Sequence, residues 1–268
     1  SDLLGIRSKT QVTAEALAAA DKLLTIGAFC IGTNQIDMNE SMMSGIAVFN
    51  SPFSNTRSVA ELVIAELILL LRKAIDKNNN LHRGKWEKSS AGSFEARGKT
   101  LGIIGYGHIG SQVSVLAEAM GMQVLYYDIE PKLPLGNARA AKTLKDLLHQ
   151  SDVVTIHVPG LATTKNMFDA RAIAEMKKGA ILINCARGDL VVEEDAKEAL
   201  INGKLGGYAG DVFRNEPASN EEPFTSLFQN LPNVFLTPHI GGSTVEAQEN
   251  IGTDVAGKLM NYLNTGST

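Results

Sequence analysis

The sequence predicts an α/β protein, built as a doubly wound parallel sheet with a second, smaller α/β unit. Three observations carry that expectation. Short apolar runs alternate with helical patterns along the chain, the spacing of stacked βαβ units. Six such runs follow residue 98, the strand number of a complete doubly wound sheet. The first of them runs directly into a glycine-rich turn at Gly105, Gly107 and Gly110.

In chain order, residues 3–6, 23–26 and 46–49 read as three strands separated by helical segments such as 13–20. The first strand opens at the third residue, so this small sheet is expected to be N-terminally truncated. A helix over 57–73 is apolar on too many sides for a one-faced surface helix. Its longest apolar run, Leu67 to Leu71, lies between Glu66 and Arg72, far short of the roughly 20 residues that a membrane span needs, so a buried helix is expected. The six later strands are placed at 101–104, 124–127, 153–156, 181–184, 208–212 and 234–236. Helix ends punctuate them. Thr143 with Asp146 forms a capping box, Gly121 and Gly203 sit as C-terminal stops, and Ser243 with Glu246 is expected to open the last helix.

Bulk properties narrow the chemistry. Lys and Arg number 25 and Asp and Glu 29, a net charge of −4 that offers no footprint for nucleic acid or an anionic membrane. A small-molecule partner is expected instead. Cys30 and Cys185 lie far apart without C-x-x-C spacing, so neither a disulfide framework nor a metal site is predicted, and a reducing cytoplasm fits. No basic segment followed by an apolar stretch opens the chain, so no secretory signal is read.

The segment LGIIGYGHIG at 101–110 is a strand followed by G-x-G-x-x-G. Gly105 permits the tight turn, Gly107 lets backbone amides approach a pyrophosphate, and Gly110 lets the helix pack closely on the strand. The helix from Ile109 directs partial positive charge at bound phosphates. Glycine-rich turns are common, but eighteen residues beyond Gly110, at a strand end, stands Asp128, placed to hold the adenosine ribose hydroxyls. This is the Rossmann arrangement. Asp128, with Glu130 nearby, would repel a 2′-phosphate, so the expected cofactor is NAD and not NADP.

Three later segments follow candidate strands: INCARGDL at 183–190, DVFRNEP at 211–217 and TPHIGGS at 237–243. They supply Arg187, Glu216 and His239. Hydride transfer from an alcohol carbon must also move the hydroxyl proton, and histidine, with an ordinary pKa of about 6.5, is the usual carrier. His239 is the expected base, Glu216 the carboxylate that orients it, and Arg187 the fork that binds a substrate carboxylate and the developing carbonyl charge. Singly, each has a plainer reading, as a helix cap, a solvated loop charge or a structural histidine.

These strings resemble the D-2-hydroxyacid dehydrogenases, and FCIGTNQID at 29–37, FSNTRSVAEL at 53–62 and SFEARGKTLGIIGYGHIG at 93–110 look most like the phosphoglycerate branch of that family. The resemblance covers nearly the whole chain. It implies Arg187, Glu216 and His239 as the catalytic set, with oxidation of 3-phosphoglycerate to 3-phosphohydroxypyruvate as the reaction. It also implies that Gly105, Gly107, His108, Ile109, Gly110, Asp128, Cys185, Ala186, Arg187, Asp211, His239 and Gly242 line the cofactor, with Asp211 near the nicotinamide carboxamide. Arg7, Ser8 and Asn55 are implied in the substrate site, Arg7 for the phosphate; a solvated strand-end charge is its plainer reading. By the same likeness the substrate domain is split, residues 1–54 and 242–268, around a nucleotide domain at 55–241. A homodimer or homotetramer is implied, with the helix 57–73 at an interface and Trp86 in an arm reaching the partner. Relatives begin earlier, and many continue into a C-terminal regulatory domain.

Two other readings stand beside this one: a related dehydrogenase acting on glyoxylate, hydroxypyruvate or lactate, and a non-catalytic dinucleotide-sensing protein, since fold alone does not decide function.

Overall fold

Two parallel sheets organise the chain in the computed structural model, which describes residues 1–267. The smaller belongs to a compact unit made of Ser1–Ser58 and the chain from Gly242 on; the larger belongs to Val59–Gly241.

In the first unit, β1 (Leu3–Ile6), β2 (Thr25–Ala28) and β3 (Ala47–Phe49) pair in sequence order. β2 starts two residues later than the apolar pattern suggests, because the Leu23 amide bonds back to the Ala20 carbonyl and closes a turn. On one side Ile6, Ile26 and Ala28 pack with Leu17 of α1 (Ala14–Ala18), whose N-cap Thr13 accepts from the Ala16 amide. On the other, Ile251, Val255 and Leu259 of α9 (Val245–Thr265) pack with Leu3, Phe29 and Phe49. The approach is close: a Cβ on Gly27 would lie 2.6 Å from Leu259. A returning helix thus supplies the cover for the second face. The cap of α9 is Thr244, which accepts from the Ala247 amide, and not Ser243. Adjacent hydroxyls offer the same local signal, and only the extended backbone of Thr244 selects it.

In the second unit the seven-stranded sheet runs β10-β9-β8-β7-β4-β5-β6, every pairing parallel. The strands are β4 (Thr100–Ile104), β5 (Gln123–Tyr127), β6 (Arg139–Ala140), β7 (Val153–Ile156), β8 (Ala180–Asn184), β9 (Leu205–Gly210) and β10 (Val234–Leu236). From β6 to β9 this is the doubly wound order 3-2-1-4-5-6, with β10 as a seventh strand. The six strands read from sequence therefore omit β6, a two-residue exposed edge with no apolar run to betray it. β9 also begins and ends earlier than expected. Gly206 and Gly207 weaken strand propensity, yet a Cβ on either would meet Gly179 or Asn233 within 2.5 Å, so packing demands them.

Alternation on the central strands buries both faces. Leu101, Ile103, Val153 and Ile183 pack with Val59, Val63, Leu67 and Leu70 of α3 (Thr56–Leu71) and Val113 of α5 (His108–Ala119). Ile104, Val154, Ile156 and Leu182 pack with Leu147 of α6 (Leu144–Gln150), Ile173 of α7 (Ala170–Glu175) and Ala196 of α8 (Glu193–Ile201). Each fully buried leucine contributes about 2 kcal/mol. The run Leu67 to Leu71 is helical core, and no described helix is long and apolar enough to cross a membrane. All helices and strands converge on one consequence: the C-terminal ends of β4, β7, β8 and β9 open side by side, where such folds place their ligands.

Candidate active site

Each glycine of the first turn meets a different requirement. Gly105 has φ +89°, and a Cβ there would lie 2.4 Å from the His157 carbonyl oxygen. Gly110 lies against the turn itself, its virtual Cβ 2.2 Å from the Gly105 oxygen. Among the described residues nothing comes within 4 Å of a Cβ on Gly107, the N-cap of α5, which carries no side-chain cap. An open space before an uncapped helix end suits a dinucleotide pyrophosphate. His108 is exposed on the first turn of α5, and Ile109 is half-buried. Asp128 closes β5. Its Oδ2 accepts from the Tyr106 amide at 2.8 Å and its Oδ1 from the Glu130 amide at 3.0 Å, so the carboxylate also braces the glycine turn.

Arg187, Glu216 and His239 line a single cavity of about 420 Å³, together with Lys165, Asp189, Arg214 and neighbours. His239 Nδ1 lies 2.8 Å from Glu216 Oε2, while Glu216 Oε1 accepts from the Phe213 amide at 3.1 Å. Half of the His239 side chain is exposed, 52%, so the ring is held on one side and open on the other.

Asp211 sets the backbone that aims this histidine. His239 has φ +53°, a left-handed conformation uncommon outside glycine, and Asp211 over-determines it. Its Oδ1 accepts from Thr237 Oγ1 at 2.6 Å and the Ile240 amide at 2.8 Å, and its Oδ2 accepts from the Gly241 amide at 2.8 Å. Asn184 does the same for the arginine loop, its amide donating to the Arg187 carbonyl and its carbonyl accepting from the Ala186 amide. The loop then presses on the neighbouring one: a Cβ on Gly188 would lie 2.1 Å from the Phe213 carbonyl carbon. Glycine there lets the two segments meet.

The electrostatics follow from this contact geometry. The Glu216 hydrogen bond raises the His239 pKa, burial opposes it, the Glu216 and Asp211 charges add to it, and Arg187 lowers it; the net shift is upward. Partial burial pushes Glu216 up, but His239, the Phe213 amide and Arg187 together hold it below the usual carboxylate value.

Arg7, Ser8 and Asn55 lie in the other unit. Arg7 Nη2 donates to Gln248 Oε1 of α9 at 2.6 Å, Ser8 is exposed, and Asn55 sits against Gly242, whose Cβ would lie 2.2 Å from Asn55 Nδ2. Sequence reasoning missed Lys165 and Arg214 in the cavity wall, which carry only the signal of basic loop residues. It also missed Glu66, fully buried on α3 with its Oε2 accepting from the Cys185 thiol at 3.1 Å. Cys185 and Ala186 are buried, and Cys185 is a free thiol whose pKa burial pushes well up.

Comparison with known proteins places this geometry. The model of the D-isomer specific 2-hydroxyacid dehydrogenase NAD binding domain matches residues 64–241. The D-3-phosphoglycerate dehydrogenases of Haemophilus influenzae and Escherichia coli K12 are each 58% identical over 265 residues, 99% of this chain and 65% of theirs. The chain thus spans about 65% of the length of those curated relatives. The crystal structure of D-lactate dehydrogenase with NAD+ from Lactobacillus jensenii superposes with a TM-score of 0.89 at 28% identity, covering 98% of this chain and 83% of that one.

Proposed function

Because the chain belongs to the D-isomer specific 2-hydroxyacid dehydrogenase family, we propose that it takes part in the NAD-dependent oxidation of 3-phosphoglycerate to 3-phosphohydroxypyruvate, the entry step of serine synthesis. The single observation that carries the chemistry is the His239–Glu216 pair at 2.8 Å in the cavity that Arg187 also lines. The two relatives named above, which are D-3-phosphoglycerate dehydrogenases, support the substrate.

His239 Nε2 takes the proton of the substrate hydroxyl as the carbonyl forms, and returns it in the reverse direction. Glu216 fixes the tautomer through Nδ1 and offsets the imidazolium charge. Arg187 binds the substrate carboxylate and the oxygen that becomes the carbonyl. The nicotinamide, when bound, supplies the acceptor for the hydride. Gly105, Gly107, His108, Ile109 and Gly110 form its phosphate cradle, Asp128 takes the ribose hydroxyls, and Cys185, Ala186, Asp211 and Gly242 line the nicotinamide end. Arg7, Ser8 and Asn55 are the substrate contacts proposed for their own unit, with Arg7 for the phosphate. The proposed substrate domain is 1–54 with 242–268 and the nucleotide domain 55–241, four residues from the compact-unit boundary at Ser58 and Val59; residue 268 lies outside those described. A cytoplasmic homodimer or homotetramer completes the reading, its compartment supported by two free thiols.

NADH formation by the complete gene product tests this, with 3-phosphoglycerate set beside lactate, glycolate and glycerate. Turnover of phosphoglycerate at the highest kcat/KM is the expected result. Preference for an unphosphorylated acid would move the substrate within the family; a D-lactate dehydrogenase is among the similar solved structures. Tight NADH binding with no turnover at all would make it a sensor.

A further inference from the structure

Glu66 is the one residue of the α3 core face that is ionisable: it is 0% exposed among Val59, Val63, Leu67 and Leu70. Two groups from the catalytic segments face it. Cys185, two residues before Arg187, donates its thiol to Oε2 at 3.1 Å, and Asp211, which holds the His239 turn, lies within electrostatic reach. Oε1 is buried, and among the described residues it has no hydrogen-bond partner and the carboxyl has no basic side chain among its electrostatic neighbours. The same helix touches the second segment directly, since a Cβ on Gly241 would meet Leu62, Val59 and Asp211 Oδ2.

We propose that Glu66 is a positioning residue for the reaction: its carboxyl on α3 fixes the Arg187 segment through Cys185 and lies within electrostatic reach of the Asp211 carboxylate that holds His239. The proposal rests on the function proposed above for its kinetic consequence. A neutral carboxyl accepts the thiol and leaves Asp211 undisturbed. An ionised one sets a second negative charge beside an anion already committed to Thr237, Ile240 and Gly241, and the repulsion falls on the strained turn of His239. Burial pushes the Glu66 carboxyl up to about 8, the Cys185 hydrogen bond opposing and Asp211 adding, so the neutral form prevails at pH 7.

Glu66→Gln keeps the shape and removes the charge; Glu66→Leu removes the polar contact as well. For an acid whose folded pKa lies above its unfolded value, native stability falls as pH rises from the unfolded pKa to the folded one. The gap in Tm between Glu66→Gln and wild type therefore widens between about pH 5 and pH 8 and is level above that. In kcat/KM for hydroxy-acid oxidation, wild type shows an alkaline decline that both variants lack, and Glu66→Leu runs on the order of tenfold below Glu66→Gln at every pH, the cost of a small displacement of the site. A constant gap in Tm, or an alkaline limb retained by Glu66→Gln, overturns the proposal. Should the variants fail to fold, infrared titration of the wild type decides it: a protonated-carboxyl stretch must persist at pH 7 and vanish above about pH 9. Its absence at pH 7 also overturns the proposal. A widening gap in a protein that oxidises no hydroxy acid overturns the proposed reaction instead, and leaves the buried clamp standing.

Discussion

His239 Nδ1 and Glu216 Oε2 lie 2.8 Å apart, and the two residues come from segments separated by a strand, β10, that runs parallel to its neighbour β9. The contact commits Nδ1 and leaves Nε2 to face the cavity chemistry. Glu216→Gln would keep the volume and lose the charge that raises the histidine. The proposed oxidation requires the neutral imidazole, so its rate is expected to rise with pH through the His239 pKa, which the pair holds above the ordinary value. In the variant that acid limb moves to lower pH while kcat falls by about 10- to 100-fold. The pH profile of kcat/KM checks both; an unmoved limb would remove Glu216 from this role.

His239→Ala removes the proposed proton carrier, and an activity loss of about 10²- to 10⁴-fold is expected. His239→Asn should lose as much activity yet unfold at a higher temperature than His239→Val, because asparagine tolerates the left-handed backbone that Asp211 imposes and a β-branched residue does not. Thermal melts of the three variants test the second statement without any assay of turnover.

Gly188→Ala drives a methyl into the Phe213 backbone, which cannot yield as a side-chain tip would. Moving Phe213 moves the amide that Glu216 accepts from. Loss of about 1–3 kcal/mol is expected in urea unfolding, with kcat falling further than stability explains at temperatures where the protein is fully folded.

Asp128→Ala takes a carboxylate from the end of β5 and also frees the Tyr106 amide that braces the glycine turn. NADH affinity should drop by about tenfold, the worth of a lost charged hydrogen bond, and discrimination against NADPH should narrow as the repelling charge goes. Fluorescence titration with both nucleotides measures it; unchanged discrimination would place the selectivity elsewhere.

Local chemistry made much of this legible. Strand runs buried on both faces, the glycine order at 105, 107 and 110, and the capping Thr143 are signals spanning a few residues, and each acts through sterics or hydrogen bonds available to an isolated segment. β6 and the extent of β9 were not legible, since one has no apolar run and the other is glycine-rich for the sake of Gly179 and Asn233. Sequence alone thus determined the fold class, the nucleotide turn and the residue types of the site. Only the tertiary structure decided that Asp211 bends the His239 turn from 28 positions away in sequence, and that Glu66 meets Cys185 across 119 positions. The reason is physical: a carboxylate's partner is set by which backbone amides and side chains the closed sheet edge brings within about 3 Å, and no local pattern encodes that proximity.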